Sequence, residues 1–302
     1  MSKRFVIYIL LAGFLLGIIV ANAQEPQSHV VFIKNKDTRA YKSVIDGFTS
    51  ALRKGRISAR LTEYQPGEIG ALKALNPDLI LTLGTSVTRS AAGHLKQIPI
   101  VFSMVVDPEG SGIKGDNIAG VSLDIPPLLQ FEALKRVIPG LKTVGVLYNP
   151  AENEVNIKKA AAAAQNLGLI LKPFPVKNQE EIPGIGTLAV DALWIFPDTL
   201  ICQPPIIKRI LLSGMQSKIP IMGISPRYVK AGALIALSCD YKDIGKQAGE
   251  ISVRILKGER CTDIKIVQPR QVKLFLNAAV ADRLGITIPR KILKEAEEVF
   301  GQ

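Results

Sequence analysis

Histidine and cysteine are scarce. The chain has two histidines, His29 and His94, and three cysteines, Cys202, Cys239 and Cys261. No C-x-x-C pair and no Cys/His cluster occurs, which removes the usual ligand supply of a structural zinc site. An odd cysteine number without regular spacing argues against a disulfide framework, and the pairing of the three stays open. Aromatic residues make up 6%. No dense Lys/Arg run is interleaved with them, so the formal net charge of +12 reads as a basic surface rather than a nucleic-acid footprint. The patterns G-x-x-x-x-G-K-S/T, H-E-x-x-H and G-x-S-x-G are absent, which takes away the common phosphate cradle, zinc-protease helix and nucleophile elbow. His94, in Ala91-Ala92-Gly93-His94, has no evident nucleophile to serve. These absences predict a protein that is not an enzyme and holds no metal or cofactor.

Long apolar runs are equally few. Only one stretch can meet a bilayer, which excludes a polytopic transporter. Lys3 and Arg4 precede an uncharged apolar run from Phe5 to Ala21, Ala21-Asn22-Ala23 sets small residues at the two positions a signal peptidase reads, and Gln24-Glu25-Pro26 turns polar. This three-part pattern predicts a signal peptide over residues 1–23, cleaved after Ala23, and a periplasmic mature chain. The length of the run also fits an uncleaved membrane anchor, and that alternative stands. No cysteine follows the run, so lipid attachment is not expected.

What is present is an α/β rhythm. A length of 302 residues allows about two domains. Short apolar runs alternate with helix-like stretches: Val30–Ile33, Leu79–Leu83, Ile98–Phe102, Val144–Leu147, Leu169–Phe174, Ala192–Phe196, Ile219–Ile224 and Ala233–Leu237. Buried runs of this length separated by helices predict parallel sheets covered on both faces. The order also repeats. Asn35 and Asn149, each closing a strand, stand 114 residues apart, as do Thr85 in Leu83-Gly84-Thr85 and Thr199 in Pro197-Asp198-Thr199. Gln97-Ile98-Pro99-Ile100 and Lys218-Ile219-Pro220-Ile221 then stand 121 apart. The repeat predicts two similar doubly wound parallel-sheet lobes joined by a hinge.

Ligands of such sheets bind beyond the carboxyl ends of the strands, so the residues after each apolar run are the candidates. In the first lobe these are Asp37, Thr85 and Ser86, Ser103 and Asp107. In the second they are Tyr148 and Asn149, Asp198 and Thr199, and Ser225. Ser122 and Asp240 lie near chain crossings between the lobes. Gly84 lets a backbone approach a ligand closely. Thr85 or Ser86 reads as a helix cap beside N–H groups suited to a carboxylate, or as a plain cap. Asp198 reads as a partner for a ligand ammonium or hydroxyl, or as another cap. Tyr148 reads either as a surface for a flat ligand or as packing at the rim. Trp194, inside an apolar strand, is expected in the core.

These segments, taken in order, resemble the substrate-binding proteins of ABC-type transporters in the type I periplasmic-binding fold, relatives of which bind tryptophan and other aromatic amino acids. The resemblance runs over about residues 28–290. It rests on Leu83-Gly84-Thr85, on Ile98-Pro99-Ile100-Val101-Phe102 with Asp107-Pro108, and on Asn117-Ile118-Ala119-Gly120-Val121-Ser122. Further along it rests on Val144-Gly145-Val146-Leu147-Tyr148-Asn149-Pro150, Phe196-Pro197-Asp198-Thr199, Gly232-Ala233-Leu234, Asp240-Tyr241, Ile244-Gly245 and Arg254-Ile255-Leu256-Lys257-Gly258-Glu259. It implies a small-molecule ligand held between Thr85, Ser86, Ser103 and Asp107 of one lobe and Asn149, Asp198 and Ser225 of the other. It also implies an inner-membrane ABC permease and its ATPase as partners. Two loops depart from the family pattern. Asp198-Thr199 stands where Asp-Asn is common, and Lys36-Asp37-Thr38 stands where Glu-His is common. Both loops border the implied ligand site, so an amino acid is a candidate and its side chain is not fixed.

The expectation is therefore an exported, monomeric solute-binding protein without nucleic-acid partners. Lobe one is drawn from residues 28–121 and about 241–270, lobe two from 122–240 and about 271–302. A periplasmic sensing module that docks on a signalling receptor would share fold and site, and an exported enzyme on the same scaffold is the remaining alternative. A repressor would need a DNA-reading head, and an export signal stands in its place. N-terminal sequencing of the protein recovered from the periplasm is expected to begin Gln24-Glu25-Pro26; a start at Met1 in the membrane fraction would establish the anchor instead.

Overall fold

Two sets of strands, most of them buried along nearly their whole length, build the molecule. In the computed structural model, which describes residues 27–301, the first set is β1 (Ser28–Lys34), β2 (Ala59–Tyr64), β3 (Leu79–Leu83), β4 (Ile100–Val105) and β5 (Ile118–Ser122). The export-signal reading of residues 1–23 lies outside the described residues. The second set is β6 (Thr143–Tyr148), β7 (Ile170–Pro175), β8 (Ala192–Ile195), β9 (Ile221–Gly223), β10 (Ile235–Cys239), β11 (Val272–Asn277) and β12 (Glu298–Phe300). The first sheet has the order β2-β1-β3-β4-β5 and the second β12-β11-β10-β9-β8-β6-β7. Without β11 and β12, both read second, first, third, fourth, fifth strand, so the internal repeat of the sequence is a repeat of topology.

Both faces of each sheet are covered, which is why these strands read as continuous apolar runs. Leu79, Leu81 and Leu83 of β3 face α1 (Arg39–Lys54) and α8 (Tyr241–Leu256), while Ile80 joins the opposite core with α3 (Thr85–His94), which follows the short α2 (Leu72–Leu75). In the second lobe Ala192 and Trp194 of β8 face α4 (Pro127–Val137) and α5 (Pro150–Asn166). Leu193 and Ile195 face α6 (Pro204–Gln216). Trp194 is fully buried, and its Nε1 donates to Gln130 Oε1 at 2.8 Å. The remaining helices, α7 (Pro226–Lys230), α9 (Ala278–Leu284) and α10 (Arg290–Glu295), belong to the second lobe.

The second sheet is not wholly parallel: β11 runs antiparallel to β10. The chain leaves β10 at Cys239, enters α8 on the first lobe, and returns at Val272. It comes back at the end where it left, so it must run the opposite way. Strands β2, β5, β11 and β12 carry no plain apolar signature. β2 is an edge strand carrying Arg60 and Glu63, and β5 contains Gly120, where a Cβ would lie 2.5 Å from the Phe102 ring. β4 begins at Ile100 rather than Ile98, because Pro99 has no N–H for the ladder. The cysteines are free thiols.

The chain passes between the lobes at three places: Ser122 to Pro127, Cys239 to Tyr241, and Ile264 to Val272. At the first and third, the segments hold each other, with Ser122 N donating to Val267 O at 2.9 Å and Val267 N to Gly120 O at 3.0 Å. Helix α8 then lies on α1 at backbone contact. A Cβ on Gly47 would sit 2.0 Å from Lys242 O, and one on Gly245 would sit 2.0 Å from Val44 O. Gly245→Ala should therefore cost about 3 kcal/mol by overpacking, whereas Gly93→Ala in α3, which meets nothing within 4 Å, should stabilise by about 0.5–1 kcal/mol. Chemical denaturation of the two variants checks both signs.

Candidate functional site

The carboxyl ends of the first lobe's strands gather donors. Gly84 is the N-cap of α3, at φ +103°, and a Cβ there would lie 2.8 Å from the Tyr41 hydroxyl. The cap is thus Gly84 and neither Thr85 nor Ser86, which occupy the first two helical positions without a side-chain cap. Ser86 is exposed, and its Oγ accepts from Asn35 Nδ2 at 3.1 Å. The first turn of α3 has no acidic residue, and its N–H groups lack intrahelical partners, so this end of the helix suits an anion. Ser103, fully buried on β4 in register with Leu83, holds a hydroxyl with no hydrogen-bond partner.

Asp107 follows β4. Its N–H donates to both oxygens of Asp124 at 3.0 and 3.1 Å, and its carboxylate accepts from Gly110 N at 2.9 Å and from Asn156 Nδ2 at 3.0 Å. The last bond joins the lobes. The same loop spells Gly110-Ser111-Gly112-Ile113-Lys114-Gly115, a G-x-G-x-x-G string that opens no helix and therefore lacks the context of a dinucleotide site. Burial raises the Asp124 carboxyl above the usual range, opposed by the Asp107 N–H and Ser122. Ser122 Oγ accepts from Asp124 N at 3.1 Å. Cys239, beside Asp124, is pushed up to about 12 by burial and by that carboxylate.

The second lobe's strand ends carry acceptors. Asn149 caps α5 through Ala151 N at 3.1 Å. Asp198, 6% exposed, is enclosed by its own lobe. Its carboxylate accepts from Asn149 N and Asn153 Nδ2 at 2.8 Å, Leu200 N at 2.9 Å and Ile201 N at 3.0 Å. It ties the end of β8 to the start of α5 and has no lone pair turned outward for a ligand ammonium. Thr199 is exposed, and both its N–H and its hydroxyl meet Glu152. Tyr148 is buried rather than at the rim, its hydroxyl donating to Glu154 Oε2 at 2.9 Å.

Ser225 caps α7 without a side-chain bond. Asp240 caps α8 through Lys242 N and Asp243 N at 2.9 and 3.0 Å and pairs with Lys273 at 3.2 Å. Against the cost of burial, those N–H groups and the ammonium hold its carboxyl below the usual range. Asp37 lies apart, exposed between Lys34 and Lys42 at 3.4 and 3.5 Å.

Thr85, Ser86, Ser103, Asp107, Asn149, Asp198, Thr199 and Ser225 thus all stand at strand ends. Asn35, which closes β1, stands with them against Ser86, as do Asp124, Glu152 and Asn156, which the sequence reading does not single out. Glu152 had a legible signal, since Asn149-x-x-Glu152 has capping-box spacing; Asn156 had none. A groove of about 450 Å³ lies elsewhere, between α4 and β11, with Arg136 paired to Glu295 and Lys273 to Glu297 along it. Among the described residues no group of three or more His, Cys, Asp or Glu side chains is placed to hold a metal ion.

Comparison with known proteins places this geometry. The family model described as ABC transporter substrate binding protein matches residues 64–300. A tyrosine-binding protein of Clostridioides difficile is 27% identical over 213 residues, which cover 66% of this chain and 61% of that protein, so the match spans about three fifths of that relative. A Streptococcus pneumoniae ABC domain solved in complex with L-Trp is 25% identical with a TM-score of 0.66, covering 91% of this chain and 100% of that one. A ligand-free, open substrate binding protein with adhesive properties from Clostridium difficile is 23% identical, covers the same 91% and 100%, and has a TM-score of 0.76.

Asp198 supplies the sharpest local expectation. Asp198→Ala leaves four buried or half-buried donors unpaired and should destabilise the protein by about 3 kcal/mol. Asp198→Asn, which keeps one acceptor oxygen, should cost about half as much, as thermal unfolding would register.

Proposed function

The chain belongs to the ABC transporter substrate binding protein family, and from that premise we propose that it captures a small zwitterionic amino acid between its lobes and delivers it to a membrane permease and its ATPase. The observation that carries the reading is the contrast between the starts of α3 and α5. The start of α3 offers N–H groups and hydroxyls with no acidic side chain in its first turn, a setting for the ligand carboxylate. The start of α5 carries Glu152 in its first turn, a setting for the ammonium. Ser103, with its unpartnered hydroxyl, lies beside the first of these.

In this reading the three crossings form the hinge, with residues 28–121 and 241–270 moving against residues 122–240 and 271–301. The N-terminal segment directs export, and the mature protein works in the periplasm as a monomer that binds without turnover. The relatives that bind tyrosine and L-Trp make aromatic amino acids the first ligands to try. In this reading the exposed Thr199, at the end of β8, borders the side-chain end of the pocket.

Thermal denaturation of residues 24–302 with L-tyrosine, L-tryptophan and a panel of other amino acids tests the proposal. A ligand at a hundred times its dissociation constant should add about 2.7 kcal/mol. Ser86→Glu is the informative variant. A carboxylate in the first turn of α3 favours the helix, so basal stability should hold or rise slightly while the amino-acid shift disappears. A folded protein with no shift for any amino acid would overturn the reading.

A further inference from the structure

The loop that leaves β4 is held in an unusual backbone. Met104 and Asp107 sit at φ +59° and +45°, and neither is glycine. Left-handed conformations at such residues persist where surrounding bonds over-determine them, and they concentrate at functional positions. The bonds here come from two directions. On the first-lobe side, Leu123 N donates to Val105 O at 2.7 Å, and Asp107 N donates to both oxygens of Asp124 in the first crossing. Oδ1 of Asp107 then accepts from Gly110 N, closing the turn. Oδ2 alone points across, to Asn156 Nδ2 on α5 of the second lobe at 3.0 Å. Among the described residues no other side-chain hydrogen bond joins the lobes outside the three crossings.

We propose that Asp107 is a positioning residue that latches the lobes: its left-handed turn, fixed to the first crossing through Asp124, aims one carboxylate oxygen at the Asn156 amide and sets the separation of the two lobes. This deepens the interlobe-capture reading and rests on it. It gives Asp107 work other than touching the ligand, since both of its oxygens are engaged within the protein.

Small-angle X-ray scattering of the purified, ligand-free mature protein tests the latch. Asn156→Asp sets a second carboxylate against Asp107 and should move the interlobe equilibrium about tenfold toward separation, the size expected for a part-exposed hydrogen bond to a charged group; the radius of gyration rises. Asp107→Asn combined with Asn156→Asp restores a donor facing an acceptor and should return the scattering curve to that of the wild type. Circular dichroism confirms that both proteins are folded. A single variant whose curve coincides with the wild type, or a double variant that fails to recover, overturns the proposal. L-tyrosine affinity, where present, should fall about tenfold in the single variant and recover in the double, because only the competent fraction binds. Loss of affinity in Asp107→Asn with unchanged scattering would make Asp107 a ligand contact and overturn the latch. If no amino acid binds, the capture reading fails, while scattering still decides the latch.

Discussion

Backbone contact between α1 and α8 is the constraint on which the architecture turns. Gly47, Gly245 and Gly249 bring the two helices so close that a methyl group has no room. One helix follows the first strand of the chain; the other is made only after the second sheet's β10 is complete. Their contact fills the α1 face of the first sheet with Ile244, Ala248 and Ile251. It thereby obliges the chain to leave the second lobe and later return to it, which yields three crossings instead of one and reverses the direction of β11. The joining of the two lobes by three neighbouring segments of chain is a consequence of that helix pair.

The crossings are unequal in stiffness. The third is strapped to α8 by Arg270, whose guanidinium meets the buried Asp243 at 2.9 Å and Glu250 at 2.8 Å, and by Gln247, whose Nε2 donates to Gln268 O at 3.0 Å. The segment up to Arg270 is therefore bonded to the first lobe. The second crossing is capped by Asp240, which Lys273 ties to the strand leaving the third. The first is tied through Asp124 to the loop that reaches Asn156. Polar groups removed from water are costly unless paired, and in this molecule the pairing fixes what each crossing is bonded to.

Near the strand ends the same rule separates enclosed groups from unpartnered ones. Asp198 has every convenient donor of its own loop around it, so it shapes the start of α5. Among the described residues, no side chain caps the first turn of α3 and the Ser103 hydroxyl has no partner. Free hydrogen-bonding capacity at the proposed site thus sits mostly on one lobe, while the acidic rim at Glu152 and Glu154 sits on the other.

Much of this was readable in the chain. The alternation of Leu79, Ile80 and Leu81, the paired offsets of Asn35 with Asn149 and Thr85 with Thr199, and the polar residues after each run determined two similar α/β lobes and the ends at which to look. Those are local properties, fixed by the period of a strand and the chemistry of a turn. The sequence could not say that Gly84 rather than Thr85 caps its helix, that Asp198 is enclosed by four donors, or that Tyr148 turns inward. Nor could it join Asp107 to Asn156, since nothing in either neighbourhood marks the other. Those choices depend on which surfaces meet once the sheets have twisted and α8 has docked on α1, and a contact between residues 49 positions apart exists only in three dimensions.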